Sequence, residues 1–349
     1  MSHLILTPLK RILVLGAFGF RKSLFDGQTI KTRNLLTLLQ DKGVDVDHFD
    51  TQDFKANKLS FIRMFWKVMR CKTLYYLPAQ NNLAYLFPII YWLSFIFHIK
   101  IHYFVVGGWL VEFLEGKHRL RNKLSRIAGI HCETQHMKNA LEKGYGFRNV
   151  DVFPNFRISD FHPKTHHEEN KLKLVFMARI IKMKGLDLIF ELGNRIVDKG
   201  LQDKISVDFY GPQQDGEGDI EYFNTNVAKY EFMKYHGPLE PKDIYTTLEK
   251  YDTMLLPTHF YTEGLPGSIL DAYISGIPVI VTKWKYATEF VEDGNTGIII
   301  PFEDDGTALF DAVMRYFGDT ALLNRMKEGA QAKWRDFSSE KAWDILQSY

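Results

Sequence analysis

Cysteine is scarce in this sequence: Cys71 and Cys132 are the two in 349 residues, and neither belongs to a CxxC pair or a Cys/His cluster. A disulfide framework is thereby excluded, and a reducing cytoplasm is the expected setting. Low-complexity tracts are absent, and with 46% apolar and 25% charged residues the chain reads as folded and globular. No segment repeats at a period of roughly 20–50 residues, which removes solenoids and propellers. No RNP, KH or helix-turn-helix pattern accompanies the cations, so no nucleic-acid partner is expected.

Long hydrophobic runs are also missing. The one membrane-span candidate, "LAYLFPIIYWLSFIFHI" at 83–99, has 17 uncharged residues with Pro88 inside, the short end of what a bilayer requires. Because the strand-like "IHYFVVGG" follows at once, the run is expected to be a helix buried in its domain, with a helix that touches a membrane surface as the alternative. The opening "MSHLILTPLKRILVLGAFGF" carries its charges after the first apolar residues and runs straight into a strand pattern, a poor secretory signal.

Net charge is small, +2, but unevenly spread. Residues 1–150 hold 22 Lys+Arg against 10 Asp+Glu, net +12, while the remainder holds 22 against 32, net −10. Such asymmetry points the first half toward something anionic, a membrane surface or a phosphorylated substrate; attraction between domains is the plainer alternative.

What is present is alternation. "RILVLGAF", "VDVDHFD", "TLYYL", "IHYFVVGG", "GIHCETQ" and "NVDVFP" read as strands separated by helical patterns, and the order restarts with "LKLVFMAR", "KISVDFYG", "DTMLLP", "PVIVT" and "TGIIIP". Strands interleaved with helices of roughly 10–15 residues imply βαβ units. The expected fold is therefore α/β, two doubly wound Rossmann-like domains facing a cleft. Residues 1–155 form the first domain, completed by a C-terminal helix over 337–349. Residues 156–171 are a polar, His-rich linker, and residues 172–336 form the second domain. His162, His166 and His167 lie in that linker without a second ligand cluster, so no metal site is expected there.

The stretch "HFYTEGLPGSILDAYISGIPVIVT" holds the chemistry. A loop carries Glu263, Pro266 opens a helix at its first turn, and amides near Gly264 and Gly267 offer a site for an anion such as a diphosphate. Ile269, Leu270, Tyr273 and Ile274 form the apolar stripe, placing Asp271 on the other face with Gly267 and Ser275. Taken alone, Asp271 reads as a solvated helix carboxylate; together with Glu263 it reads as part of a site. In "FMARIIKMKGLDLIFEL", a strand leads to Arg179, then to Lys184 and Gly185 at a helix start. Two cations five residues apart on such a connection can clamp a diphosphate.

These residues resemble the retaining glycosyltransferases of family 4, which have the two-domain GT-B fold, and in particular those that assemble bacterial capsular polysaccharide, exopolysaccharide or lipopolysaccharide. "EGLPGSILDAYISGIPVI" is similar to the family's E-x7-E signature, with Asp271 in the second acidic place. "ARIIKMKG" is similar to its R-x4-K-G turn, "EFVEDGNTGIIIP" to the segment closing the donor site, "FDGQTIKTRNLL" to its glycine loop, and "VFPNF" to its strand before the linker. The resemblance implies that Arg179 and Lys184 bind a donor diphosphate and that Glu263 hydrogen-bonds the donor sugar. It implies that Asp271 takes the ribose hydroxyls, and that Gly264, Leu265, Gly27, Gln28 and Gly211 line the donor. The expected substrate is a nucleotide-diphosphate sugar, UDP- or GDP-linked, with no cofactor and no metal. The "DVD" at 45–47 is a chance match to a metal motif. "VVGGWLVEF" stands where many relatives carry a histidine, and His131 is either its substitute or a satisfied core histidine.

The acceptor is expected to be a glycan or lipid-diphosphate-linked glycan. The basic aromatic segments "FIRMFWKVMRCK" and "KHRLRNKLSR" point to a cytoplasmic protein, peripheral on the inner face of an anionic membrane, with an ordinary core-facing amphipathic helix as the alternative for the first segment. Two other function classes fit the same residues. One is a non-catalytic sugar-nucleotide-binding partner of a transferase, and the other is a GT-B epimerase or phosphorylase.

Overall fold

The computed structural model describes residues 12–20, 27–57, 59–164, 171–214, 216 and 218–349. Arg11, Phe25, Asp26, His166 and His167, which figure in the sequence reading, lie outside them. The chain divides into two units, residues 1–158 with 339–349, and residues 159–338.

Unit 1 begins with β1 (Ile12–Gly16), α1 (Gly27–Asp41), β2 (Val46–Asp50), α2 (Asp53–Ala56), α3 (Ser60–Met69) and β3 (Thr73–Leu77). It continues through α4 (Gln80–Tyr85), α5 (Phe87–Phe97), β4 (Lys100–Phe104), α6 (Leu110–Phe113), α7 (His118–Leu124), β5 (Gly129–Cys132), α8 (Gln135–Tyr145) and β6 (Val150–Val152). The six strands pair in parallel in the order β2-β1-β3-β4-β5-β6. Side chains alternate across this sheet. Val14, Tyr75, Leu77 and Phe104 face a core shared with Leu35, Leu38 and Leu39 of α1. On the opposite face Tyr76 stacks on Phe87 of α5.

Unit 2 runs β7 (Leu172–Met177), α9 (Leu186–Asp198), β8 (Ile205–Tyr210), α10 (Asp219–Val227), β9 (Met233–Tyr235), α11 (Ile244–Leu248) and β10 (Thr253–Leu256). It ends with α12 (Gly267–Ile274), β11 (Val279–Thr282), α13 (Ala287–Phe290), β12 (Gly297–Ile300), α14 (Thr307–Gly318) and α15 (Thr320–Lys333). Its six parallel strands lie in the order β12-β11-β10-β7-β8-β9. The central strands β10 and β11 are buried at every residue, as strands covered on both faces must be, and this is why they read as unbroken apolar runs. The last helix, α16 (Ser339–Leu346), returns to unit 1. Its Ala342 and Leu346 join the core of Leu35, Phe104, Phe153 and Phe156.

The run at 83–99 departs from expectation. It is two helices, because Pro88 lacks the amide that a continuous helix would need and instead sits in the first turn of α5. Nor is it buried: Phe87 and Ile90 are covered, whereas Ile89, Trp92, Phe95, Ile96 and Phe97 are exposed. Among the described residues no helix is long and apolar enough to cross a membrane. Phe156 and Arg157, read as the start of a linker, are buried; His162 is exposed. The "DVD" carboxylate Asp47 pairs with Lys67 of α3 at 2.7 Å, a packing contact between β2 and the second helix after it.

Candidate active site

The carboxyl end of β7 leads into the first half of the candidate site. After Arg179 and Ile180, residues 182–184 make one 3-10 turn that ends on Gly185 at φ 82°. Glycine is required there twice over: the left-handed backbone disfavours a side chain, and a β-carbon would overlap the carbonyl oxygen of Pro257. This approach tucks the turn under the end of β10. His259 donates its amide to the Met183 carbonyl at 2.9 Å, fastening the two connections together.

The consequence is that Lys184 turns inward while its neighbours do not. Lys184 is 6% exposed, whereas Arg179, Lys182 and Met183 are exposed. The Lys184 ammonium donates to Glu263 Oε1, and it also lies 5.1 Å from the centre of the Phe260 ring. Glu263 Oε2 accepts from the Thr258 hydroxyl at 3.0 Å. The Thr258 carbonyl in turn accepts from Thr282 Oγ1 at 2.6 Å. Burial pushes the Lys184 pKa down, and the Glu263 carboxylate opposes that shift. The ammonium has three donors, so it can keep Glu263 and still meet an anion.

The second half is the start of α12. Pro266 occupies the N-cap position, one residue before the helical turn expected for it, and no side chain caps the helix. Gly264 and Leu265 are buried just ahead of it. A helix start of this kind presents amides and the positive end of the helix dipole. Asp271 is not the solvated helix carboxylate that it resembles when taken alone. It is buried, 6% exposed, because Ile269 through Ile274 are covered on every side and α12 has no solvated face at that point.

Arg179 is exposed and donates to Gln214 Oε1 at 3.3 Å. Gly211, at φ 135°, lets the end of β8 come so close to β7 that a β-carbon would overlap the Ala178 carbonyl oxygen. Tyr235 holds the Gly211 carbonyl at 2.8 Å. In unit 1, Gly27 is exposed at the start of α1, and Gln28 donates from Nε2 to the Leu77 carbonyl at the end of β3, at 3.1 Å.

Sequence reasoning missed three features. Thr258 was not singled out, although it stands five residues before Glu263 in the same loop. His259 bonds the Asp187 carboxylate at 2.8 Å. In unit 1, Lys31 is fully buried and donates to Glu133 Oε1 at 2.9 Å and to the Val105 carbonyl at 2.8 Å. Glu133 Oε2 also accepts from the Gly107 amide at 3.3 Å, so one ion pair pins the glycine loop after β4. The signal for it was present: Lys31 interrupts the stripe that continues through Leu35, Leu38 and Leu39.

His131 proves to be a core residue whose hydrogen bonding is half met. Its Nε2 lies 2.9 Å from His102 Nδ1, Tyr349 stacks on it at 4.0 Å, and its own Nδ1 has no protein partner. Among the described residues no three His, Cys, Asp or Glu side chains cluster as a metal would need.

The geometry can be set beside known proteins. The family profile described as Glycosyl transferases group 1 matches residues 158–333. The capsular polysaccharide biosynthesis glycosyltransferase CapM of Staphylococcus aureus is 24% identical over 210 residues, 59% of this chain and 53% of that protein. This chain therefore spans about half the length of that curated relative. Among solved structures, HepE of Anabaena in complex with UDP superposes with a TM-score of 0.73 at 16% identity, covering 97% of this chain and 100% of that one. Sucrose-phosphate synthase of Thermosynechococcus elongatus gives 0.76 at 13% identity, covering 97% and 98%. These likenesses establish the fold as GT-B. The profile match takes in just over half of the residues, with the Lys184 turn, the Glu263 loop and α12 inside it, and on that ground the chain belongs to the group 1 glycosyl transferases.

Proposed function

We propose that this protein is a retaining glycosyltransferase of family 4 that moves a sugar from a nucleotide-diphosphate donor to a hydroxyl of a glycan or lipid-diphosphate-linked acceptor in surface polysaccharide assembly. The observation that carries the reading is the Lys184–Glu263 pair set ahead of the uncapped start of α12. A cation, a carboxylate and a helix N-terminus together suit a diphosphate carrying a sugar.

In this reading Lys184 and Arg179 bind the diphosphate and stabilise the charge that builds on it as the glycosidic bond breaks. Glu263, oriented by Thr258 and Lys184, accepts from a hydroxyl of the donor sugar. Asp271 takes the ribose hydroxyls, and the backbone at Gly264 and Leu265 borders the sugar-phosphate. The acceptor oxygen attacks the face that the nucleotide leaves, its proton passing to the departing phosphate oxygen, so configuration is retained. The reaction uses neither metal nor cofactor beyond the donor. UDP is the favoured carrier, a choice supported by the UDP-bound relative of the same fold. The enzyme works in the cytoplasm at the inner face of the membrane.

The test is a thermal-shift panel of UDP, GDP, ADP, CMP and their sugars on wild type and on the Arg179→Ala, Lys184→Ala double variant. A ligand at about 100 times its Kd raises stability by about 2.7 kcal/mol. Stabilisation by one diphosphate nucleotide, lost in the double variant, supports the site, and no shift with any of them overturns it. The anomeric configuration of the product, read by NMR, decides retention.

A further inference from the structure

Ten of the fifteen large apolar side chains exposed among the described residues fall between residues 59 and 97. Leu59, Ile62 and Trp66 make a stripe along α3, and Ile89, Trp92 and Ile96 make a second along α5, with Phe95 beside it at 71% exposure. The two helices touch, and α5 also touches α7, as successive right-handed crossovers on one face of a parallel sheet require.

An outward-facing helix of such a layer ordinarily turns polar residues to solvent. Helix α9, which follows the first strand of the other unit, does so with Asp187, Asn194 and Asp198. Helix α5 has no charged residue, and its outer face is as apolar as its inner one. Contiguous exposed surface of this kind marks an interaction site.

Charge identifies the occupant. From Asp53 to Glu112 no acidic residue intervenes, while seven lysines and arginines do. Arg63, Lys72 and Lys100 are exposed around the patch, as are Arg119 and Arg126 in and after α7. Lys72 and Lys100 are neighbours, joined by a 3.0 Å backbone hydrogen bond where β3 and β4 begin. The Arg70 guanidinium lies 4.6 Å from the Trp66 ring. Aromatic and aliphatic side chains of α3 and α5, in a stretch that has cations and no acids, match a bilayer interface, with acyl chains beneath anionic headgroups. The 11 residues of α5 extend roughly 16 Å, about half of a hydrocarbon core, so the helix lies in the interface and does not cross it.

We infer that α5, flanked by α3 and α7, is an interfacial helix that seats unit 1 in an anionic lipid bilayer. The sequence points to the basic helices as the contact and keeps a surface-touching helix at 83–99 as an alternative to a buried one. The structure assigns the penetrating role to α5 and leaves the cations at the rim. That the acceptor is borne by the same membrane rests on the function proposed above, whereas the surface itself is tested without turnover.

The experiment is flotation of the full chain with vesicles of phosphatidylcholine, alone or mixed with phosphatidylglycerol, with tryptophan quenching by acyl-brominated lipid as the measure of depth. Each cation at the rim adds roughly a fivefold preference for the anionic surface. Wild type is expected to float with the mixed vesicles and to be quenched. The Trp92→Gln, Phe95→Gln, Ile96→Gln variant should lose about tenfold or more of its partition, with unchanged circular dichroism and thermal transition because those side chains are already exposed. Flotation with neither vesicle overturns the inference, as does equal binding of variant and wild type. A stable wild-type dimer that the triple variant converts to monomer also overturns it, giving the face to a second copy of the chain.

Discussion

The ammonium of Lys184 is held by the carboxylate of Glu263, 79 residues further along the chain. Their meeting follows from two close approaches, Gly185 against Pro257 and the Met183 carbonyl against the His259 amide. Replacing Lys184 by Ala leaves Glu263 without its partner in a mostly buried place and should cost about 3 kcal/mol of stability. Arg179→Ala removes an exposed side chain and should cost less than about 0.5 kcal/mol. Both should weaken nucleotide-diphosphate binding. Urea unfolding beside nucleotide titration separates the two effects.

Glu263→Gln keeps the size of the side chain and its place near Thr258. Under the proposed function its kcat should fall roughly 10²- to 10³-fold, with nucleotide affinity nearly unchanged because Lys184 remains. A loss of affinity as large as the loss of kcat would make Glu263 a binding residue only.

Gly185→Ala should destabilise unit 2 by about 2–4 kcal/mol, combining a left-handed backbone with overlap at Pro257. The neighbouring Lys182→Ala is exposed and should stay within about 0.5 kcal/mol of wild type. Denaturant midpoints of the two variants check the contrast.

Lys31→Met should cost about 3–5 kcal/mol, because Glu133 would be left buried and unpaired. Adding Glu133→Leu should return much of that loss. If the double variant is as unstable as the single one, the Val105 and Gly107 contacts outweigh the ion pair.

Burial pushes the pKa of His102 down to about 4 and that of His131 to about 2, from 6.5. The unfolded chain therefore binds protons below about pH 6.5 that the folded chain refuses until about pH 4. The stability of unit 1 should be complete above pH 6.5 and fall as pH drops through that window. Each histidine contributes up to about tenfold in the folding equilibrium per pH unit. The His102→Leu, His131→Leu variant should show a flatter profile of melting temperature against pH.

The fold was legible because parallel strands covered on both faces read as short unbroken apolar runs, and "TMLL" and "VIVT" could be placed without knowing their neighbours. The two halves of the candidate site were legible as separate turns. Their contact was not, since no local pattern records that Gly185 packs against Pro257. Burial was the weakest inference. The apolar run at 83–99 was read as core, yet periodicity cannot tell water from lipid or protein on the outer side of a helix. Asp271 taken alone misleads in the opposite sense: a carboxylate is usually solvated, but α12 is covered from Ile269 through Ile274.

The return of α16 to unit 1 constrains how the protein is made. Synthesis runs from the amino end, so strands β1 to β6 emerge first, but Ala342 and Leu346 reach the ribosome exit only after Ser159–Ser338 have been translated. At about 5–20 residues per second that interval is roughly 10–35 s. For that time Leu35 and Phe104 lack part of their cover, so the first unit, although its strands are made first, can be completed only after the whole of the second has been translated.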